Sequence, residues 1–345
     1  MADVLGVAVI GGGYWGSNLI RNFLYAGGWD LRWVCDLDED RARQALGNRT
    51  AVGVTASLDE VLGDGDVVAV AVATPADTHA QLTMQVLATD RHVLVEKPLA
   101  SSLTEGDTMV ALARQRDLVL MCDHTYCYTA SARHIRWLVR TQAIGRVHYV
   151  DSIRINLGLV QPDVDVFWDL AAHDLSILDF ILPDDTVPTA VAAHGADPIG
   201  AGRACIGYVI LPLAGGGIAH AHVNWLSPTK IRRTIIGGSD GMIVWDDLNT
   251  SERVRIYDKS VSLASPLAAG PREAQISYRL GDMVAPVLPE QEALGVVVEE
   301  FRSAIVERRP PLTPGEAGVR LLRVLEAVTT SLAHSGQFVS LGSYR

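Results

Sequence analysis

The chain has 345 residues, 48% of them hydrophobic and 20% charged. That length is great for one core and the composition is that of an ordinary globular protein, so two domains are expected. A formal net charge of −11 argues against non-specific partnership with nucleic acid or with an anionic membrane, while leaving room for one local anion site. The aliphatic run Val67–Ala73 is too short to span a bilayer. The N-terminus lacks the basic region of a signal peptide and runs straight into a strand and turn. Cys35, Cys122, Cys127 and Cys205 show no metal-ligand spacing. No metal is expected, and a reducing, cytoplasmic setting fits best.

Short apolar runs at Val4–Ile10, Leu31–Cys35, Val67–Ala73, Val93–Val95 and Leu118–Cys122 suit parallel strands covered on both faces. Helical segments lie between them, and Ser57-x-x-Glu60 and Ser102-x-x-Glu105 read as capping boxes. The alternation predicts a doubly wound α/β domain over residues 1–122. Its first turn, Gly11-Gly12-Gly13-Tyr14-Trp15-Gly16, fills the G-x-G-x-x-G positions. Glycine there permits a tight turn, close approach of backbone to a pyrophosphate, and packing of helix on strand. The alternative is a glycine-rich turn with no ligand. Asp36 follows the second strand, where a carboxylate can accept hydrogen bonds from the ribose hydroxyls of a dinucleotide. It would repel a 2′-phosphate, and the nearest arginine is Arg41, so NAD is favoured over NADP.

Thr74-Pro75 closes another strand, and Lys97-Pro98 follows Val93-Leu94-Val95. Gly11, Asp36, Thr74 and Lys97 thus all fall at strand ends of one kind, the edge where open α/β sheets bind ligands. Lys97 is one of only three lysines, with Lys230 and Lys259. Lysine can be tuned to give and take a proton where arginine cannot. Lys97 is therefore a candidate proton-transfer group, with a plain loop lysine as the alternative.

After Cys122 the alternation stops. A helix around Ile135–Val139 is followed by strand signals at Val147–Ile155, Val187–His194, Ala204–Leu211, Ile218–Trp225, Ile231–Ile236 and Met242–Trp245. This predicts a separate antiparallel or mixed sheet over residues 123–345, with a hairpin turn at Gly215-Gly216-Gly217. Residues 260–290 read as the most loop-like stretch. Leu294, Val297, Val298, Phe301 and Ile305, then Ala317, Leu321, Val324, Val328 and Leu332, follow helical spacing. Asp169 and His173 stand four apart in Trp168-Asp169-Leu170-Ala171-Ala172-His173-Asp174, on one face of a helix. A carboxylate can orient an imidazole that removes a hydroxyl proton. Alternatively Asp169 caps the helix, His173 is an interior residue and Asp174 is a first-turn acid. Lys230 and Arg232 share one face of a strand and suit a substrate phosphate or carboxylate, or simply a solvated face or subunit contact.

Gly11-x-Gly13-x-x-Gly16, Thr74-Pro75-x-x-x-His79, His92-Val93-x-Val95-Glu96-Lys97-Pro98 and Asp169-x-x-x-His173 together resemble the Gfo/Idh/MocA family of oxidoreductases over nearly the whole chain. The resemblance implies an N-terminal Rossmann domain and a C-terminal α+β domain with an open, predominantly antiparallel sheet that often joins subunits, hence a homodimer or homotetramer. The last helices would be free to return to the first domain. It implies Lys97 and His173 as the catalytic pair with Asp169 as their partner. Tyr14, Trp15, Thr74, Pro75, His79, Glu96 and Lys97 are expected around the cofactor. Tyr126, Trp168, Lys230 and Arg232 are expected around the substrate. Many relatives carry Asp-x-Gly-x-His-x-x-Asp, whereas Ala171 and Ser176 stand at two of those places. The segment Phe167–Ser176, with Asn224-Trp225-Leu226-Ser227-Pro228, looks closer to the branch acting on nucleotide-linked sugars, including nucleotide-diphospho-N-acetylglucosamine 3-dehydrogenases and related 3-ketoreductases. The implied activity is hydride transfer between NAD and a secondary alcohol of a sugar. Inositol or free-sugar oxidation, an NAD-using glycoside hydrolase and a non-catalytic NAD or sugar sensor are the alternatives.

Overall fold

Two sheets organise the chain. The computed structural model describes residues 4–161, 164–263, 276–342 and 344. The chain divides into two compact units, Met1–Thr129 with Gln291–Arg323, and Ala130–Glu290 with Val324–Arg345. The first unit therefore extends past the expected boundary at residue 122 and takes in a late segment of chain.

The first unit is a six-stranded parallel sheet in the order β3-β2-β1-β4-β5-β6. Its strands are β1 (Leu5–Ile10), β2 (Trp29–Cys35), β3 (Gly53–Thr55), β4 (Val67–Val72), β5 (His92–Glu96) and β6 (Leu120–Asp123). Val7, Ala8 and Val9, Ala69 to Val72 and Val93 to Val95 are sealed from solvent. Layers cover both faces of such a sheet, which is why its strands read as unbroken apolar runs. The helices α1 (Tyr14–Tyr25), α2 (Glu39–Leu46), α3 (Leu58–Gly63), α4 (Ala76–Ala88) and α5 (Leu103–Gln115) alternate with the strands. Helix α1 buries Gly16, Leu19, Ile20 and Phe23, one stripe of a 3.6-residue period. Ser102 caps α5 by accepting from the Glu105 amide at 3.3 Å. Ser57 begins α3 without a side-chain cap; its own amide is turned back to Thr55 Oγ1 at 2.9 Å. The expected capping box Ser57-x-x-Glu60 is thus a box in spacing only.

Strand β3, only three residues long with glycine as the first, has no counterpart among the expected strands. Helix α8 (Ala293–Glu307) packs Leu294, Val297, Val298, Phe301 and Ala304 inward. Trp29 stacks on Phe301 with centroids 5.7 Å apart and donates through its indole N–H to the Val298 carbonyl at 3.0 Å. The helical spacing is as expected, although Ala304 takes the buried place expected for Ile305.

The second unit carries a nine-stranded sheet ordered β14-β13-β12-β11-β7-β10-β9-β8-β15. Strands β7 (Val147–Leu157), β8 (Ala190–Ala196), β9 (Ile206–Pro212), β10 (Ile218–Asn224), β11 (Leu226–Gly238) and β12 (Met242–Asp246) match the expected signals within a few residues. All neighbours are antiparallel save β10 beside β7. Gly215 and Gly216, both at positive φ, turn the chain between β9 and β10. The stretch expected to be loop-like instead contributes the end of β13 (Val254–Leu263) and all of β14 (Ile276–Val284), paired antiparallel. Residues 264–275 of that stretch lie outside the described residues. Strand β14 escaped detection because it is not amphipathic in effect: Tyr278, Leu280, Met283 and Val284 are all exposed. Helices α6 (Ala130–Arg140) and α7 (Ala172–Ile181) complete the unit, with the late part of α9 (Gly315–Ala333) and the short β15 (Val339–Ser340). Among the described residues no helix is long and apolar enough to cross a membrane.

Candidate active site

In the first domain every parallel strand ends at the same edge, and the order of strands reverses between β1 and β4. Such a switch point leaves a crevice beyond the strand ends. The loop after β1 holds Gly11 at φ +97, a conformation that side chains rarely adopt, and a Cβ there would lie 2.5 Å from the Ala73 carbonyl oxygen. A Cβ on Gly16 would collide with the Gly11 carbonyl. A Cβ on Gly13 would meet nothing within 4 Å. Gly11 and Gly16 are therefore fixed by packing, whereas Gly13 faces the open space that a phosphate approaching the backbone would use. Gly13 also caps α1 without a side-chain acceptor, which leaves the first-turn N–H groups and the helix dipole available to an anion. Tyr14, 79% exposed, and Trp15 stand on that first turn, edge to face with centroids 5.4 Å apart.

Asp36 follows β2 and is buried. It accepts from the Gly12 amide at 2.6 Å and the Asp38 amide at 2.9 Å. Arg41 grips it in a fork, Nη2 to Oδ1 at 2.7 Å and Nε to Oδ2 at 3.1 Å. Burial alone would raise this carboxyl; Arg41 and the two amides outweigh it and hold the group below the ordinary aspartate range. In the sequence Arg41 is the nearest arginine but does not follow Asp36 immediately. One helical turn of α2 brings it into contact, so a cation does stand beside the carboxylate.

After β4, Thr74 Oγ1 and Thr78 Oγ1 are 2.6 Å apart, and Pro75 starts α4. His79 was expected beside the cofactor. Its ring is only 1% exposed, with Nδ1 2.7 Å from the Pro98 carbonyl oxygen and Nε2 2.9 Å from that of Thr74. Both nitrogens are committed to backbone, so His79 ties the Thr74 loop to the Lys97-Pro98 loop and offers neither nitrogen to a ligand. Lys97, half-buried, leaves β5, and its bond to Pro98 is cis. Its amide donates to Glu96 Oε2 at 3.1 Å. Glu96 was also expected at the cofactor; it is 5% exposed and turned into the domain. Tyr126 sits in the turn Thr125–Tyr128 just after β6, in the first domain and at the same sheet edge as Lys97. Gly11, Asp36, Thr74, Lys97 and Tyr126 therefore share one edge.

The second domain holds another set. Phe167–Ala171 forms a π-type turn leading into α7. Asp165 supplies its cap, accepting from the amides of Phe167 and Trp168 at 2.9 and 3.0 Å. Within that turn, Asp169 Oδ2 accepts from the indole N–H of buried Trp225 at 3.0 Å. Half-buried His173 lies one turn further along. Trp168 donates through its indole to Thr329 Oγ1 at 3.2 Å. Asp174 is no exposed first-turn acid. It faces Arg154 of β7, Nε to Oδ2 at 3.0 Å, and accepts from Ser152 Oγ at 2.8 Å, all three buried. This pair clamps α7, and with it His173, to the sheet. Nothing in the sequence marked Arg154, because a lone arginine in a strand gives no sign of its partner 20 residues on.

Arg232 pairs in register with Arg154, and its charge is met by Asp247 at 3.7 Å. Lys230 was expected to share a strand face with Arg232. The β11–β7 ladder is interrupted between Leu226 and Ile231, so Lys230 lies in the irregular segment and alternation does not assign it a face. It is exposed.

Residues 5–124 match the model of an oxidoreductase family with an NAD-binding Rossmann fold, Gfo/Idh/MocA. The chain is 26% identical over 301 residues, 86% of its length and 88% of the other's, to a UDP-N-acetylglucosamine 3-dehydrogenase of Acidithiobacillus ferrooxidans. It is 32% identical over 168 residues, 46% of this chain and 50% of the relative, to a 1,5-anhydro-D-fructose reductase of Ensifer adhaerens. The crystal structure of GenD2 from gentamicin A biosynthesis, in complex with NAD, superposes with a TM-score of 0.80 at 28% identity, covering 99% of this chain and 97% of that one. The glycine loop and the strand-end residues lie within the matched segment, and residues 5–124 form an NAD-binding Rossmann domain of the Gfo/Idh/MocA family of oxidoreductases.

Proposed function

We propose that the protein is an NAD-dependent dehydrogenase or ketoreductase acting at a secondary alcohol or ketone of a sugar, nucleotide-linked and with C3 favoured. The observation that carries this reading is the sheet edge where an uncapped α1, an open Gly13, Asp36 and Lys97 all stand. A dinucleotide bound there supplies the hydride acceptor or donor. The α1 amides hold its pyrophosphate, Asp36 its adenosine ribose, and Tyr14 and Trp15 shield that end. Asp36 favours NAD over NADP.

Lys97 binds the reacting oxygen and assists its proton. His173 removes or returns the hydroxyl proton, and Asp169, held by Trp225, orients that imidazole. Tyr126, Trp168, Arg232 and Lys230 contact the sugar and its anionic nucleotide portion. The nucleotide-linked class is supported by the UDP-N-acetylglucosamine 3-dehydrogenase among its relatives. Exposed Tyr208 and Ile218 on β9 and β10 support assembly of two or four copies through the second sheet. Four buried free cysteines suit a reducing, cytoplasmic compartment.

The test is turnover with NAD and NADP across UDP-sugars, free sugars and inositols, followed by nicotinamide absorbance. Lys97→Met and His173→Asn should each lose on the order of 10²–10⁴-fold in kcat while still binding NADH. Full turnover in either variant rejects the assigned role. Sugar release without net nicotinamide reduction would replace the dehydrogenase reading with hydrolysis.

A further inference from the structure

We propose that Glu96 and Asp123 form a proton-sharing carboxyl pair that sets the charge behind Lys97 and so governs how readily its amine gives and takes a proton. The proposal rests on Lys97 being the working amine of a dehydrogenase.

Glu96 ends β5 and Asp123 ends β6, and the two are partners in the parallel register. Parallel neighbours in register project to the same face. Here both side chains are buried, Asp123 at 1% exposure. Each keeps one buried oxygen, Glu96 Oε1 and Asp123 Oδ2, with no hydrogen-bond partner among the described residues. Two such carboxyls can satisfy one another only if one carries a proton. The remaining oxygens are engaged: Asp123 Oδ1 accepts from Thr125 Oγ1 at 2.8 Å, and Glu96 Oε2 accepts from the Lys97 amide.

The surroundings leave little else to balance the pair. Cys122 beside Asp123 is pushed well up by burial and stays a neutral thiol. Tyr128, buried in the following turn and bonded to Thr313 Oγ1 at 2.7 Å, is likewise neutral. Cys127 is buried and His124 is buried next to Asp123 in sequence. Lys97 is the cation that acts electrostatically on Glu96. Burial raises Asp123 to about 6 and lifts Glu96 well above the ordinary glutamate range, a direction that suits one shared proton and one negative charge on the pair. That charge stands at the root of the Lys97 side chain. A negative charge there attracts the cation beside it, and gaining or losing the shared proton changes how strongly.

Glu96 and Asp123 are positioning residues, since neither reaches the surface where substrate would lie. The pair explains why a glutamate is buried immediately before the lysine, a place where an apolar residue would cost less.

With three lysines in the chain, Lys97 can be followed by itself. The experiment is competitive acylation of the whole apo protein at neutral pH, with each lysine quantified by peptide mass spectrometry. Glu96→Gln keeps one negative charge and an amide donor toward Asp123, and should leave Lys97 labelling as in the parent. Glu96→Gln with Asp123→Asn removes the charge, and Lys97 should label on the order of tenfold faster, with Lys230 and Lys259 unchanged. Equal labelling of Lys97 in parent and double variant overturns the proposal. If the double variant does not fold, infrared spectroscopy of the parent and of Glu96→Gln decides. The parent should show a protonated carboxyl band at neutral pH that Glu96→Gln abolishes, and its persistence in that variant refutes a shared proton. Neither measurement needs substrate. Absence of nicotinamide reduction with every sugar would defeat the dehydrogenase reading and leave these results standing.

Discussion

Replacing Asp36 by serine should reverse the cofactor preference, and the geometry says by how much. In the parent the carboxylate accepts from Gly12, Asp38 and Arg41 and is held ionised. A 2′-phosphate brought to about 4 Å meets a like-charge repulsion of ~4 kcal/mol at an effective dielectric of ~20. The adjoining guanidinium tempers that field, so roughly half, ~2 kcal/mol, should survive as discrimination. This is about 30-fold in affinity. Asp36→Ser removes the repulsion and releases Arg41 to pair with the phosphate. Titrating NADH and NADPH fluorescence should show NADPH tightening by about 30-fold or more while NADH weakens through loss of the ribose contact. In Asp36→Ser with Arg41→Ala the NADPH gain should largely vanish. Unchanged NADPH affinity in the single variant, or an undiminished gain in the double, would refute the assignment of Asp36 and Arg41 to the ribose end.

Three further outcomes follow from the geometry. Trp225→Phe deletes the donor to Asp169, a hydrogen bond to a carboxylate of ~1.5–3 kcal/mol. Steady-state kinetics should show kcat/KM falling at least about tenfold with NADH binding intact. Asp174→Asn removes the carboxylate that buried Arg154 faces at 3.0 Å, and denaturant unfolding should register a loss of ~3–5 kcal/mol. The Glu96–Asp123 pair also predicts a pH dependence of stability. Both carboxyls sit above their ordinary values when folded, so the native state keeps protons that the unfolded chain releases. Stability from this source is then greatest below about pH 4. It declines as pH rises from about 4 through about 6, by ~1.4 kcal/mol per pH unit for each retained proton. The stability of Glu96→Gln, which has one such proton fewer to lose, should fall less steeply over that interval than that of the parent.

The features legible in the sequence are those encoded within a few residues of each other. The glycine loop, the parallel strands and the strand-end position of Lys97 depend on local pattern and on burial on both faces, and the amino-acid order states these directly. Contacts set by register or by a turn of helix are not stated there. Glu96 and Asp123 become partners only through the pairing of β5 with β6, and Arg154 meets Asp174 only once α7 covers β7. Arg41 does not follow Asp36 immediately and meets it only through α2. Trp225 gave no sign that its indole would serve Asp169. Strand β14 lacked a detectable period because its apolar side chains stay in solvent. The same logic accounts for His79 and Glu96: the motif marked them as special, while in the structure His79 joins the Thr74 and Pro98 loops from inside and Glu96 is buried opposite Asp123.

Helix α8 gives the first domain a dependence on time as well as on space. Trp29 and Phe23 form the patch that Phe301 closes, yet the ribosome delivers that helix only after the 161 residues from Ala130 to Glu290. At ~5–20 residues per second, translation takes about 8–32 s to cross that interval. Throughout it the nascent nucleotide-binding domain carries a large aromatic surface without its cover. A polypeptide ending at residue 129 would keep that surface uncovered permanently, whereas joining residues 291–323 directly behind it by a short tether should yield a unit that stays in solution.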